Sequence, residues 1–394
     1  YVSQAADGPR APRTFSANKS QPLYTINVTT GFDGLHYGCN EGSYCTGRVP
    51  PDVQVASSPN YVLEMVNSLG QTWDKQGNPI KTFSLTSLFQ TYATHVLFDP
   101  RVLYDISSQR WFATLADRGD QTIRFAVSQT DDPNSRWWTY QFALTPGTWA
   151  DQPLIATSGD KLVISLNDYY SSNASFVGAE YWVIDKREAL EGVPLKYVVY
   201  GPDDNLFSVH PAKSTGANNT IYMLSVEQER GYVKLFRVDG LPPSSQVSTR
   251  ELPVSAITSP PNATQFGSDF LLDTGDTRVM DATWDNGTLW LTFTDGCVPY
   301  GDTQIRSCIR LIQLNTNTNK ILQNFLLNTV GSYYFYPTLS LDSAGDLIVG
   351  FGYSSANDSP SFAVWAQPLD SPNAISHPQV LRLGNAPVTP VASS

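Results

Sequence analysis

Nine side chains that can bind metals or protons recur at matching places in this chain. Asp52, Asp99, Asp151 and Asp281 stand at or beside the start of an apolar stretch, and His210 takes that place in another. Asp117, Asp168, Glu227 and Asp295 lie at the end of the apolar stretch that follows. Carboxylates gathered in this way suit three kinds of chemistry. They can hold Ca2+, whose hard charge takes about six to eight oxygens. Two of the first four can act as acid/base or nucleophile in glycoside cleavage, which needs paired carboxyls at a set separation. The third role, and the commonest, is structural: each caps a strand end and accepts backbone N–H groups. Arg101, Arg118 and Arg278 stand nearby and suit bidentate capture of a carboxylate or sulfate, although pairing with a neighbouring Asp is the more frequent outcome. Trp137, Trp138, Trp149, Tyr169 and Tyr170 offer flat faces to a sugar ring, against the usual use of large aromatics as packing material. GxSxG, GxGxxG, P-loop and HExxH patterns are absent.

These residues are set by a repeated pattern of hairpins. Six times an apolar stretch, a tight turn and a second apolar stretch follow one another, as in Arg101–Tyr104 with Arg110–Leu115 and Val279–Thr283 with Thr288–Phe293. The turns carry Gly, Asn, Asp and Ser (Ser158-Gly159-Asp160, Asp285-Asn286-Gly287, Ser343-Ala344-Gly345), which supply positive φ or side-chain bonds to the backbone. A third apolar strand and a more polar fourth complete each unit. A long-period array of four-strand units predicts an all-β protein, a six-bladed β-propeller of four-stranded antiparallel blades. Seven blades is the alternative if 253–278 hides irregular strands. The expected organisation is an N-terminal arm over 1–22, one propeller domain over 23–384 and a C-terminal tail over 385–394. The blades are expected near 51–86, 98–144, 150–200, 209–252, 279–327 and 335–383, with a strand at 23–28 closing the ring. In that fold the starts of the first strands and the long connections share one face, where the nine residues gather.

Composition narrows the partners and the compartment. A net charge of −11 and a pI near 4.8 repel phosphate backbones, which excludes nucleic acid. No apolar run is long enough to span a membrane, and a chain opening on Tyr1 reads as a processed, secreted form. Four cysteines fall into local pairs, Cys39/Cys45 and Cys297/Cys308, that favour two short-loop disulfides in an oxidising compartment over zinc. Asn-x-Ser/Thr sequons stand at Asn18, Asn27, Asn173, Asn218, Asn262, Asn286 and Asn357, mostly in expected loops that can accommodate a glycan. The low-hydrophobicity arms point to self-association.

Val49-Pro50-Pro51-Asp52, Pro59–Asn67, Asp99-Pro100-Arg101-Val102-Leu103-Tyr104-Asp105 with Arg110-Trp111-Phe112, Asp151-Gln152-Pro153-Leu154 and Val183–Lys186 resemble segments of secreted prokaryotic β-propeller domains. Those domains occur in extracellular and cell-surface proteins and have no defining activity. The resemblance covers 49 to about 192. A looser similarity to sialidase-type propellers lacks their Asp box S-x-D-x-G-x-x-W, Ser340-Leu341-Asp342-Ser343-Ala344-Gly345 being off by one. The expected function is therefore a non-catalytic, glycosylated extracellular subunit for assembly into a surface layer or filament, or for adhesion. The alternatives are a carbohydrate-active hydrolase or lyase using Asp52, Asp99, Asp151 or Asp281, and a calcium-stabilised binding module.

Overall fold

The computed structural model describes residues 13–14, 26–28, 31–37, 45–46, 50–369 and 378–389. The chain is all-β, with six four-stranded antiparallel blades, a six-bladed β-propeller. Blade one runs through Gln54–Ser57, Tyr61–Val66, Leu69–Asp74 and Pro79–Ser84; blade two through Leu97–Asp105, Arg110–Asp117, Thr122–Ser128 and Trp137–Ala143. Blade three comprises Thr148–Thr157, Lys161–Tyr170, Phe176–Asp185 and Tyr197–Asp203. Blade four holds His210–Pro211, Ile221–Glu227, Tyr232–Asp239 and Gln246–Pro253. Blade five is Asp281–Asp285, Thr288–Cys297, Arg306–Asn315 and Lys320–Leu327; blade six is Ser332–Leu341, Leu347–Ser355, Asp358–Gln367 and Gln379–Arg382. Segment 253–278 supplies only a two-stranded hairpin, Ala263–Gln265 with Ser268–Leu272, so it makes no seventh blade.

Two compact units make up the chain: 28–223 with 237–248, and 1–27 with 224–236 and 249–394. In the first, Leu63, Met65, Val102, Trp111 and Ala113 pack blade one on blade two, and Phe112, Phe125, Leu162, Ile164 and Trp182 pack blade two on blade three. In the second, Leu311, Phe325, Leu339, Phe351 and Trp365 do the same for blades five and six. Middle strands are buried on both faces for this reason: Thr122–Ser128 is buried at every position.

The tight turns behave as their residues predict. Asp285 pairs with Thr288 across a two-residue loop in which Asn286 (φ 45) and Gly287 (φ 84) both take the left-handed conformation that such a hairpin requires. The strand expected at 23–28 changes: Ile26–Val28 form no strand, and residues 23–25 lie outside the described ones. Within the expected N-terminal arm, Arg13–Thr14 pair in parallel with Phe325 and Leu326 and extend blade five at its polar fourth strand. The Cys297–Cys308 disulfide is formed, bridging the second and third strands of blade five. Cys39 and Asn18 lie outside the described residues, as does the side chain of Cys45.

At the second-strand ends, blades two and five repeat one device. Arg124 lies opposite Leu115 and binds Asp117, two residues further on, through Nε at 2.9 Å. Arg310 lies opposite Phe293 and binds Asp295 through Nε at 2.6 Å. Arg310 is 1% exposed, and its remaining N–H groups reach Ser255, Asn324 and the Ala256 carbonyl. Removing one member of a buried pair leaves the other charge uncompensated. Arg310→Leu is expected to lower stability by about 3–5 kcal/mol, read as a lower urea midpoint. The double change Arg310→Leu with Asp295→Leu is expected to recover most of that loss.

Candidate functional site

Positive φ marks the place where chemistry gathers. Asp52 (φ 48), Asp99 (φ 51) and Gln152 (φ 52) take left-handed conformations at the beginning of blades one to three, as does Ser208 (φ 52) just before His210. Tyr336 (φ 50) does so in blade six. At Asp99 and Gln152 the register with the second strand slips, the mark of a β-bulge, which re-aims side chains. A left-handed non-glycine residue is strained by roughly 1–3 kcal/mol and needs holding. Side chains at the ends of second strands do that: Asn67 Oδ1 accepts the Asp99 N–H at 2.8 Å, Asn167 Oδ1 the Ser208 N–H at 2.8 Å, and Thr294 Oγ1 the Tyr336 N–H at 3.2 Å. The Gln152 N–H is accepted by Asp99 Oδ2 at 3.0 Å.

Three of the four predicted acid/base candidates are thereby brought together. Asp52 and Asp99 act on each other directly, and Asn67 Nδ2 donates to Asp52. Burial raises both pKa values; repulsion from Asp99 raises Asp52 further, and the Asp151 charge pushes on Asp99. The Arg101 guanidinium acts in the opposite sense on both. All four side chains are only half-buried, so the cluster is open to solvent.

Aromatic side chains border it. Trp149 and Asp151 are two apart on one strand, so they share a face about 7 Å apart. Trp149 stacks on Tyr169 (centroids 5.2 Å, 25° between planes), and Arg118 lies over the indole at 4.9 Å. Phe98, next to Asp99, closes the row at 6.3 Å from Trp149. Tyr170 is 48% exposed, whereas Trp137 is buried packing.

The other predicted residues serve the scaffold. Asp281, the fourth acid/base candidate, is buried and accepts from the Ala282 and Leu339 N–H groups and from Thr338 Oγ1, which removes it from the acid/base set. Asp295 is closed by Arg310 and the Thr258 N–H, and Arg278 is taken up by Asp276. His210 is buried with Nδ1 3.0 Å from the Pro211 carbonyl, and Glu227 precedes the 3-10 turn Gln228–Arg230. Asp117 joins His95 and Asp120 in a cluster whose ligand atoms lie within 4.8 Å of one another, but Arg124 binds both carboxylates and supplies the charge a cation would. Of the sequons, Asn173, Asn286 and Asn357 occupy exposed turns, Asn27 and Asn262 are exposed, and Asn218 is half-buried in a loop.

Glu180 was missed from sequence. It lies opposite Leu166, with Asp168 two residues further on, so blade three puts a glutamate where blades two and five put arginine. Aligning the three third strands would have exposed the exchange. Asp168 is 0% and Glu180 5% exposed, and neither Asp168 oxygen nor Glu180 Oε2 has a hydrogen-bond partner. Burial, reinforced for Glu180 by the Asp168 charge, pushes the pair up to about 6 for Asp168 and about 8 for Glu180.

No family model and no curated protein matches this chain. Solved structures do. They include the α-L-arabinanase of Cellvibrio cellulosa, at 11% identity and TM-score 0.37 over 84% of this chain and 94% of that one. The exo-β-1,3-galactanase of Phanerochaete chrysosporium matches at 10% identity and TM-score 0.36 over 84% and 89%. The subtype N10 neuraminidase-like protein of A/little yellow-shouldered bat/Guatemala/060/2010 matches at 7% identity and TM-score 0.43 over 80% and 93%. At these identities the likeness is one of fold. The expected non-catalytic assembly or adhesion subunit is corrected by these neighbours: an arabinanase and a galactanase stand on the side of the carbohydrate-active alternative.

A carboxyl whose folded pKa is raised stabilises the fold below its unfolded pKa and loses that contribution as pH rises through the folded value. For Asp168 and Glu180 the loss falls between the ordinary carboxylate range and about 8. The protein is expected to melt several degrees higher at pH 5 than at pH 8, and Glu180→Gln to raise the melting temperature at pH 8 and flatten the dependence.

Proposed function

We propose that the protein is a carbohydrate-active hydrolase or lyase whose reacting groups are Asp52, Asp99 and Asp151. The observation that carries this reading is the half-buried Asp52–Asp99 pair, both raised in pKa by burial and neighbouring charge, beside Asp151, Arg101 and the Trp149/Tyr169 stack. Glycoside cleavage needs one protonated carboxyl and one ionised carboxylate whose environments push their pKa values apart. Asp52 and Asp99 touch, which is closer than the ~5 Å minimum between acid and nucleophile. They therefore act as one unit, the proton donor to the leaving oxygen, and Asp151 is the opposing base or nucleophile. Arg101 orients the unit and limits its rise in pKa. Trp149 stacks on the sugar in the adjoining subsite, with Arg118 fixing the indole. The disulfide suits an oxidising, extracellular setting, and among the described residues no helix is long and apolar enough to cross a membrane.

Reducing-end release from arabinohexaose and from β-1,3-galactotriose tests this. Wild type is expected to cleave at least one, and Asp99→Asn and Asp151→Asn to lose about 100-fold or more of kcat with unchanged melting temperature. Because the donor pair holds its proton above the ordinary carboxylate range, activity should extend to higher pH than a free Asp allows, and Arg101→Gln should carry it higher still. Rates that the Asn variants leave untouched, or no cleavage of either sugar by wild type, would refute the proposal.

A further inference from the structure

Blade three breaks a pattern that two other blades keep. Arg124 and Arg310 reach along their sheets to Asp117 and Asp295, whereas the same register position of blade three holds Glu180. Leu166 lies opposite Glu180 and Asp168 follows two residues later, so both carboxyls leave one face of the sheet. Both are buried, and Asp168 Oδ1, Asp168 Oδ2 and Glu180 Oε2 meet no donor. Among the described residues no lysine or arginine acts on either group.

A carboxylate sealed from water needs a paired charge or a metal ion. Blades two and five supply that charge as a guanidinium. In blade three the glutamate stops short of where a guanidinium would reach, and its sign is reversed. The fourth strand closes over the pair: a Cβ on Gly201 would meet the Glu180 Cα at 3.1 Å, and one on Gly178, opposite Asp168, would meet the Asp203 backbone at 2.7 Å. Register slips on either side, between Asp168 and Tyr169 and between Ala179 and Tyr181. Bulges of this kind interrupt the ladder and leave backbone carbonyls able to take other partners.

We propose that Asp168 and Glu180 hold a calcium ion, which does in blade three what arginine does in blades two and five. The donors are all oxygen, which suits Ca2+ and not the nitrogen- and sulfur-seeking zinc. Two carboxylates match its charge, Asp168 can chelate through both oxygens, and carbonyls at the bulges can complete the shell. Mg2+ keeps several waters, which a sealed site does not admit. The ion ties down the strand end beside the candidate base, since Asp168 lies opposite Ala150 and Asn167 opposite Asp151. The inference stands apart from cleavage at Asp52, Asp99 and Asp151, because binding is read directly.

Calorimetric titration of EGTA-stripped protein with CaCl2 or MgCl2 at pH 8 tests it. One Ca2+ per chain is expected to bind, at least about tenfold more tightly than Mg2+, and to raise the melting temperature by a few degrees. Glu180→Gln and Asp168→Asn should each weaken binding at least about tenfold and lose the melting response. The higher melting temperature expected of Glu180→Gln at pH 8 is that of the metal-free protein; on adding Ca2+ the wild type gains and the variant does not. Glu180→Arg should recreate the pairing of blades two and five, melting in EGTA at or above the wild type and ignoring Ca2+. If Glu180→Arg fails to fold, Glu180→Gln decides, since it keeps the shape of the side chain. No Ca2+ binding by wild type, or undiminished binding by Glu180→Gln, would overturn the proposal. Binding lost in Asp99→Asn but kept in Glu180→Gln would also overturn it, by placing the ion at the open carboxylates.

Discussion

Burying both faces of a sheet is the constraint from which the rest of this molecule follows. Once blades press flat against one another, their middle strands can hold almost nothing but apolar side chains, and the polar groups that remain must either find partners or move to the strand ends. Leu162, Val163 and Ile164 have no exposed area at all, while the side chains that hydrogen-bond between blades, Asn67 and Asn167, stand where their strands run out. Scaffold and site thus compete for the same few positions. Whether an acid there serves packing or chemistry is decided by how completely its neighbours satisfy it.

The three second-strand acids make the comparison directly. Asp117 and Asp295 each meet an arginine and are spent on cohesion. Asp168 meets Glu180 at the same register position, and burial raises the pKa of both carboxyls instead. Asp52 and Asp99 do likewise at a place that solvent reaches. Two carboxyl pairs raised in pKa, one sealed and one open, follow from the same cause: carboxyls placed near each other and away from water, which disfavours their ionised forms.

Much of the architecture was legible because it is written in periodicity and turn chemistry. Alternation and the Asp-Asn-Gly turn fixed the hairpin of blade five to the residue, since a two-residue loop of this kind admits one register. The first-strand acids could be found for a similar reason, as each follows a predictable boundary. Their fates could not be found. That Asp281 would face the Leu339 amide while Asp99 faced Asp52 depends on which neighbour each bulge aims at, and no local pattern encodes that. Glu180 was overlooked because a lone acid in an apolar strand carries no motif, and only its equivalence to Arg124 and Arg310 gives it meaning. Arg13–Thr14 eluded the composition argument because a two-residue strand is stabilised by the edge it joins, not by its own sequence.

One asymmetry reaches beyond this molecule. At one end of blade five the second and third strands are joined by a connection running from Cys297 to Arg306 and pinned by a covalent bridge, while at the other end two residues suffice between Asp285 and Thr288. Insertions can accumulate at the slack end without disturbing strand register, whereas a single added residue at the tight end would shift every side chain of a strand to the opposite face. Descendants of this chain are therefore free to trade specificity on one rim while the other stays frozen, and variation among them should be lopsided in that sense.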